Sequence, residues 1–290
     1  RSGLQPKGKQ ADKYYSNACD YTRTTGIWQT VWLEFVPENY IVSARYYTDV
    51  ENGKVTLTGE TKGAGTLTAQ ASWEGKEVGR VSLPVSGGFF SAQLDLSETH
   101  LWEPGKGGLY DLTLTFGEDR VHSYFGLRTF GIGEAGGRKC FTINGEPIFH
   151  NGLLDQGYWG DGIYTPASYG EMYSCLTKVK ELGFNMLRKH IKVEPLIWYY
   201  YCDILGILVW QDMVNGGAPY SKLRINLCPF IDLHINDMDF KGMGRDDPRS
   251  RRQYMAEAEG TIEALFNCVS LCLWTPFNEA WGQFDALGVL

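Results

Sequence analysis

The chain has 290 residues, enough for two domains that each bury a core, and its 43% hydrophobic and 21% charged residues exclude disorder as the main state. Its 27 basic and 34 acidic residues leave a net charge of −7 without a basic stripe, which excludes nucleic acid as a partner. No apolar run approaches the length of a bilayer, so a membrane partner is not expected, and the composition leaves the compartment open.

Aromatic residues make up 14%, with nine Trp and 17 Tyr, a content that suits sugar-stacking sites and β-sandwich cores alike. Seven cysteines form an odd set without paired spacing. Cys268 and Cys272 lie four apart with no His pair nearby, so they read as small hydrophobes and not as metal ligands.

From about residue 37 to 130 the chain is a series of short alternating segments. Val55 and Leu57, then Leu67, Ala69, Ala71 and Trp73, then Leu94 and Leu96, then Tyr110, Leu112, Leu114 and Phe116 recur at period two. Turn residues stand between them: Glu51-Asn52-Gly53, Glu74-Gly75-Lys76, Gly87-Gly88 and Gly117-Glu118-Asp119. This spacing predicts an antiparallel β-sandwich of immunoglobulin-like size, with no chemistry of its own.

From about residue 131 the pattern changes to strand and helix in alternation. A strand is predicted over 148–154, ending in Asp155-Gln156. Ser168 and Glu171 form a capping box ahead of Met172, Cys175, Leu176, Val179 and Leu182 at helical spacing. Gly183 stops that helix, and a strand over 185–190 follows with Arg188-Lys189-His190 at its end. Pro195 opens a second helix stopped by Gly206, and a third strand over 207–213 carries Trp210-Gln211-Asp212. A polar connection over 214–247 is long enough to be a pocket wall or lid. Asp247-Pro248 starts a third helix with Met255, Ala258, Ile262, Leu265 and Phe266 on one face, and a fourth strand is predicted to run through to Glu279.

Repeated β/α units without a glycine-rich phosphate fingerprint favour a parallel barrel over a doubly wound sheet. Barrel chemistry gathers at the carboxyl ends of the strands, and all four predicted ends here are polar or charged. The run 273–283, LWTPFNEAWGQ, is the most informative: an apolar strand breaking into Asn278 and Glu279 between aromatics. Apolar wrapping around Glu279 would favour its protonated form and suit it to general-acid work. Asn278 is placed to bond a sugar hydroxyl, Arg188 to hold a partner carboxylate ionised, and His190, Asp212 and Asp155 to line the mouth. Trp159, Trp210 and Trp281 are expected to rim it. Such a set fits glycoside hydrolysis, which needs an acid and an opposing carboxylate.

These residues resemble glycoside hydrolase family 2, the β-galactosidases, β-glucuronidases and β-mannosidases. The resemblance is carried by TRTTGIWQTVWLE (22–34), FTINGEPIFHNGL (141–153), DQGYWGDGIYTP (155–166), FNMLRKHIKVEP (184–195) and LWTPFNEAWGQ (273–283). It implies three parts: residues 1–36 as the end of a sugar-binding jelly roll, 37–131 as the immunoglobulin-like β-sandwich, and 132–290 as the first four strands of a (β/α)8 catalytic barrel. It implies a retaining exo-β-glycosidase acting on a carbohydrate substrate, β-galactosidase-like by preference. Glu279 falls on the family's general acid/base, Asn278 on the asparagine before it and Arg188 on the arginine after the second strand.

Two departures follow. The family's nucleophile lies on a later strand, so the chain is expected to be a fragment holding the acid/base alone, weakly active or inactive as it stands. Met213-Val214-Asn215-Gly216-Gly217 stands where the classical β-galactosidases carry a metal loop, so neither metal nor cofactor is expected. The alternative from another class is a non-catalytic or degenerate carbohydrate-binding module. A homo-oligomer is a further expectation, since an open sheet invites pairing at its edges.

Overall fold

The computed structural model describes residues 3–219, 227–231 and 233–290; the rest of the 214–247 connection, at 220–226 and 232, lies outside the described residues. Period-two apolar runs need a second layer to cover them, and here they find it in two packed antiparallel sheets. One has the order β1-β2-β5, from Tyr40–Asp49, Lys54–Lys62 and Gly88–Asp95. The other has the order β4-β3-β6-β7, from Lys76–Val85, Gly65–Trp73, Tyr110–Phe116 and Asp119–Phe125. Val55, Leu57, Leu67, Ala69, Leu94, Leu112, Leu114 and Phe116 meet between them in one buried core. The β3–β4 hairpin turns through Glu74 and Gly75, both at positive φ, as a two-residue turn matched to strand twist requires.

Three strands that period-two reading missed come next: β8 (Phe130–Ala135), β9 (Arg138–Ile143) and β10 (Glu146–Ile148), an antiparallel meander. Its turns, at Gly136-Gly137 and Asn144-Gly145, all have positive φ. The expected boundary at residue 131 therefore falls inside β8, and the expected strand over 148–154 is two pieces, the second being β11 (Gly152–Asp155).

The β/α half follows the sequence closely. Helix α1 (Tyr169–Glu181) starts at Ser168, whose hydroxyl accepts from the Glu171 amide, while Glu171 reaches back to the Ala167 amide. Strand β12 (Met186–Lys189), helix α2 (Leu196–Leu205), strand β13 (Leu208–Asp212), helix α3 (Pro248–Leu265) and strand β14 (Leu271–Thr275) complete it. The four strands pair in parallel and in chain order, β11-β12-β13-β14. There is no order reversal of the kind a doubly wound sheet has; the sheet winds in one direction, as one arc of a barrel does.

Two expectations are corrected. Strand β14 ends at Thr275 because Pro276 has no amide to continue the ladder, so Asn278 and Glu279 lie in the turn beyond it. On α3, Tyr254, Leu265 and Ser250 are the buried residues, and Ile262 is exposed. Among the described residues before Tyr40 there are only isolated bridges, Gln10 to Tyr21 and Asn17 to Asp20, where jelly-roll strands were expected. That segment instead lies over the carboxyl ends of the parallel strands: the Lys7 and Gly8 amides both donate to the Asn215 carbonyl, and Tyr21 donates to Gln156.

Candidate active site

Side chains alternate along a strand, so neighbouring residues at a strand end serve opposite faces. On the face away from the helices, Leu154, Arg188 and Trp210 share one row of the sheet. Arg188 Nε and Nη2 donate to the two oxygens of Asp212 at 2.9 and 3.0 Å, a forked pair, and Nη2 also donates to Asn278 Oδ1 at 2.9 Å. One guanidinium thus ties together the ends of three consecutive strands. Asp212 is fully buried, so the fork both offsets its charge and gives each of its oxygens a hydrogen-bond partner.

The bond from Arg188 has a further effect on Asn278. With Oδ1 occupied as acceptor, the amide must present its Nδ2 hydrogens elsewhere, and Nδ2 is buried without a well-aligned partner. His190 stands beside it, also buried, with Nδ1 unpartnered. Burial holds the His190 imidazole below its ordinary value, against a smaller opposing pull from the Asn278 amide and Asp212.

Glu279 follows directly. The Trp281 amide donates to the Asn278 carbonyl at 3.0 Å, closing a four-residue turn whose central residues, Glu279 and Ala280, have φ of 50° and 57°. Neither is glycine, so the turn holds two side-chain-bearing residues in a left-handed conformation that costs about 1–2 kcal/mol each. Strain of this kind persists only where surrounding structure enforces it, and it clusters at functional sites. The Glu279 side chain is exposed, which corrects the expected apolar wrapping: the aromatic neighbours in sequence turn away, Phe277 stacking on Tyr254 and Trp274 joining the helix-side core.

Asp155 is not part of this constellation. It shares a row with Lys189 and Gln211 on the helix-facing side, where Lys189 donates to Asp155 at 2.7 Å and to Glu194 at 2.9 Å. Burial alone would lower the Lys189 ammonium; Asp155 and Glu194 outweigh it and raise it above the ordinary range. Tyr199 donates to Gln211 Oε1, and Gln211 Nε2 donates to the Lys192 and Asp212 carbonyls. This layer braces the strand ends from behind. The rim is also redistributed. Trp281 lies at the site, under the Lys9 ammonium at 4.6 Å. Trp210 shares the Arg188 face, but its indole donates to His150 Nδ1 at 3.0 Å. Trp159 lines a groove against α1 with Met172 and Cys175, away from the mouth.

Sequence reading missed the contribution of the first 24 residues. Lys7, Asp12, Asp20, Asn215 and Trp281 line a cavity of about 310 Å³ beside Asn278, and Lys7 pairs with Asp20 at 3.3 Å. Only the sugar-stacking aromatics and the TRTTGIWQTVWLE motif pointed toward this segment. Among the described residues no cluster of three or more His, Cys, Asp or Glu is arranged to hold a metal ion.

No family model matches the chain. It is 30% identical to a mannosylglycoprotein endo-β-mannosidase of Lilium longiflorum over 201 residues, 62% of this chain and 18% of that protein. It is 21% identical to a β-galactosidase large subunit of Lactobacillus acidophilus over 277 residues, 90% of this chain and 42% of that one. The fold superposes on a β-glucuronidase from Ruminococcus gnavus with a TM-score of 0.65 at 17% identity, covering 84% of this chain and 38% of that chain. The chain thus spans less than half the length of each. With the LWTPFNEAWGQ turn and the Arg188 fork placed at the strand ends, the chain is similar in sequence to β-mannosidases and a β-galactosidase and in fold to a β-glucuronidase, enzymes of the kind grouped in glycoside hydrolase family 2.

Proposed function

We propose that the protein hydrolyses β-glycosides by a retaining, exo-acting route, with Glu279 as general acid/base. The observation that carries this reading is the tie from Arg188 to Asp212 and Asn278 across three strand ends, directly ahead of a strained turn bearing Glu279. Arg188 locks the Asn278 amide so that its free hydrogens meet a sugar hydroxyl, a bond that strengthens as charge develops on the ring. Exposed at the turn, Glu279 can reach a glycosidic oxygen from the open side. Asp212, buried and fully engaged by Arg188, is a scaffold and not the opposing nucleophile, so this chain supplies the acid/base half of the double displacement.

The domain reading goes with it: residues 1–36 as part of a sugar-binding domain, 37–131 as an immunoglobulin-like spacer and 132–290 as one half of a (β/α)8 barrel. The relatives' names support β-mannosides and β-galactosides as glycones, and the β-galactoside preference rests on the Lactobacillus acidophilus likeness. The test is Glu279→Gln assayed on aryl β-glycosides. Loss of a general acid costs about 10²- to 10⁴-fold, falling on poor leaving groups and sparing dinitrophenolate. Equal turnover of a poor-leaving-group substrate by wild type and variant removes Glu279 from the role.

A second reading, sugar binding without turnover, is favoured by the exposure of Glu279 and the lack of a second unengaged carboxylate beside it among the described residues. Calorimetric titration run with a product assay separates the two: heat without product supports the binding module.

A further inference from the structure

The turn that carries Glu279 has Glu279 at φ 50°, Ala280 at 57° and Gly282 at 72°, all left-handed. Strain of this density relaxes unless other parts of the chain oppose it. The opposition comes from the connection after β13, which reaches the turn through three side chains. Asn215 Nδ2 donates to the Trp281 carbonyl at 2.6 Å. One oxygen of Asp237 accepts from the Ala286 amide at 2.9 Å and from Gln283 Nε2 at 3.0 Å. The third is Arg245, whose Nε donates to the Gly282 carbonyl at 2.7 Å.

Arg245 differs from the other two in what its placement costs. It is fully buried (0% exposed), with Nη1 on the Ser250 hydroxyl at 2.9 Å and Nη2 without a partner. Its planar group lies 5.3 Å from the Tyr254 ring centre and 5.4 Å from that of Phe284. Its bonds go to a carbonyl and a serine, and among the described residues no carboxylate pairs with it. Ring faces offset only part of the cost of taking a cation out of water. Burial accordingly lowers the guanidinium to about 10, against smaller opposing pulls from Tyr254 and Glu257, so it stays charged at neutral pH. A methionine would fill much of the same space without that cost, so stability alone does not account for an arginine here. What the arginine adds is a charge-assisted bond to the backbone just past Glu279. The fit is close: a Cβ at Gly282 would meet Arg245 Nε at 3.2 Å and run into the Gly216 carbonyl.

We propose that Arg245 is a positioning residue: by holding the Gly282 carbonyl it keeps the turn in its left-handed form and the Glu279 carboxyl in place for proton donation. This rests on the glycosidase reading, with Glu279 as acid/base, and adds to it the side chain that fixes that group. With no surface exposed, Arg245 acts through the backbone and not on a sugar.

The experiment follows Arg245→Met, Arg245→Lys and Ser250→Ala in the full chain by two readouts. The first is amide hydrogen exchange at Trp281 and Gln283, whose amides close on the Asn278 and Ala280 carbonyls. In Arg245→Met both exchange at least about tenfold faster, as loss of one charge-assisted bond dictates, while amides of β12 and β13 stay within about twofold of wild type. Arg245→Lys keeps the charge and recovers part of the protection. Ser250→Ala frees only Nη1, shows a smaller effect at the same amides, and carries the test if Arg245→Met does not fold. The second readout is turnover of aryl β-glycosides. Arg245→Met lowers kcat about tenfold or more on a phenolate leaving group with KM within about twofold, and spares dinitrophenolate, which leaves without a proton.

Unchanged exchange at the turn in a folded variant overturns the inference. So does equal acceleration across the sheet, which marks a general packing role, and so does a loosened turn with phenolate turnover unaltered. Wild-type protein that turns over no aryl glycoside overturns the glycosidase reading instead; exchange then decides by itself whether Arg245 holds the turn.

Discussion

Arg188 is the residue on which the site's geometry depends. Its guanidinium makes three bonds to two partners at fixed angles, and a lysine at the same place has one nitrogen for the same work. Arg188→Lys leaves the buried Asp212 partly unpaired and lets the Asn278 amide rotate. The expected result is a loss of about 2–4 kcal/mol in unfolding free energy by urea titration. Glycoside affinity falls with it; a variant with an unchanged midpoint would contradict the fork's role. Arg188, Asp212 and Asn278 were legible in the sequence because each ends an apolar run with a polar group, a pattern that survives without coordinates. The assignment of Asp155 to the same mouth failed for a one-residue reason. Whether a strand-end side chain faces the helices or the barrel interior depends on pairing register, and Asp155 shares a row with Lys189 instead of Arg188.

At the scale of elements, caps and glycines wrote their positions plainly. The Ser168–Glu171 box, the Gly183 stop and the Asp247-Pro248 start all lie where expected, since each satisfies helix-end groups by local bonds alone. Gly206 does more than end α2. It has φ 71°, and an added Cβ would lie 2.6 Å from the Gly105 amide nitrogen and 2.8 Å from the Glu103 carbonyl oxygen. Gly206→Ala therefore combines left-handed strain with a backbone clash against the loop over 103–107. A loss of at least about 2 kcal/mol is expected, read as a lowered urea midpoint. The sheet ends are the other element-level feature. Strands β11 and β14 border the parallel sheet, and Leu154 on β11 is exposed. Edge strands with exposed apolar residues pair with further chains, so light scattering is expected to give a mass that rises with concentration, and Leu154→Lys to suppress the rise. A constant monomer mass over a hundredfold range would rule this out.

Across the whole molecule, sandwich and parallel sheet are joined through one buried carboxylate. Asp203 on α2 accepts from the Tyr124 hydroxyl of β7 and from the Ser270 amide ahead of β14, while the Trp102 indole donates to the Asp203 carbonyl. Burial raises the Asp203 carboxyl above its ordinary range, so its contribution favours folding in acid and fades as pH rises through the raised value. Two imidazoles act in the opposite sense. Burial lowers both His150 and His190, and Nδ1 of His150 accepts from Trp210, a bond that protonation destroys. Their stabilisation is complete above the unfolded histidine value of about 6.5 and is lost as pH falls below it. The urea midpoint is expected to drop between about pH 7 and pH 5 as the two imidazoles outweigh the opposing gain from Asp203, and His150→Gln to flatten the slope. A midpoint that rises over this window would contradict the burial of these rings as neutral groups.

By itself the sequence determined the two-layer sandwich, the β/α alternation, the helix caps and the polar strand ends, because each follows from period, local hydrogen bonding or backbone freedom within a few residues. Only tertiary structure decided which strand-end side chains share a face, how Pro276 shifts Asn278 and Glu279 into a strained turn, and that Lys9 reaches the mouth from far along the chain. Those outcomes depend on register and on contacts between segments separated by well over a hundred residues. No local pattern of residues encodes such contacts; the packing of one element against another does.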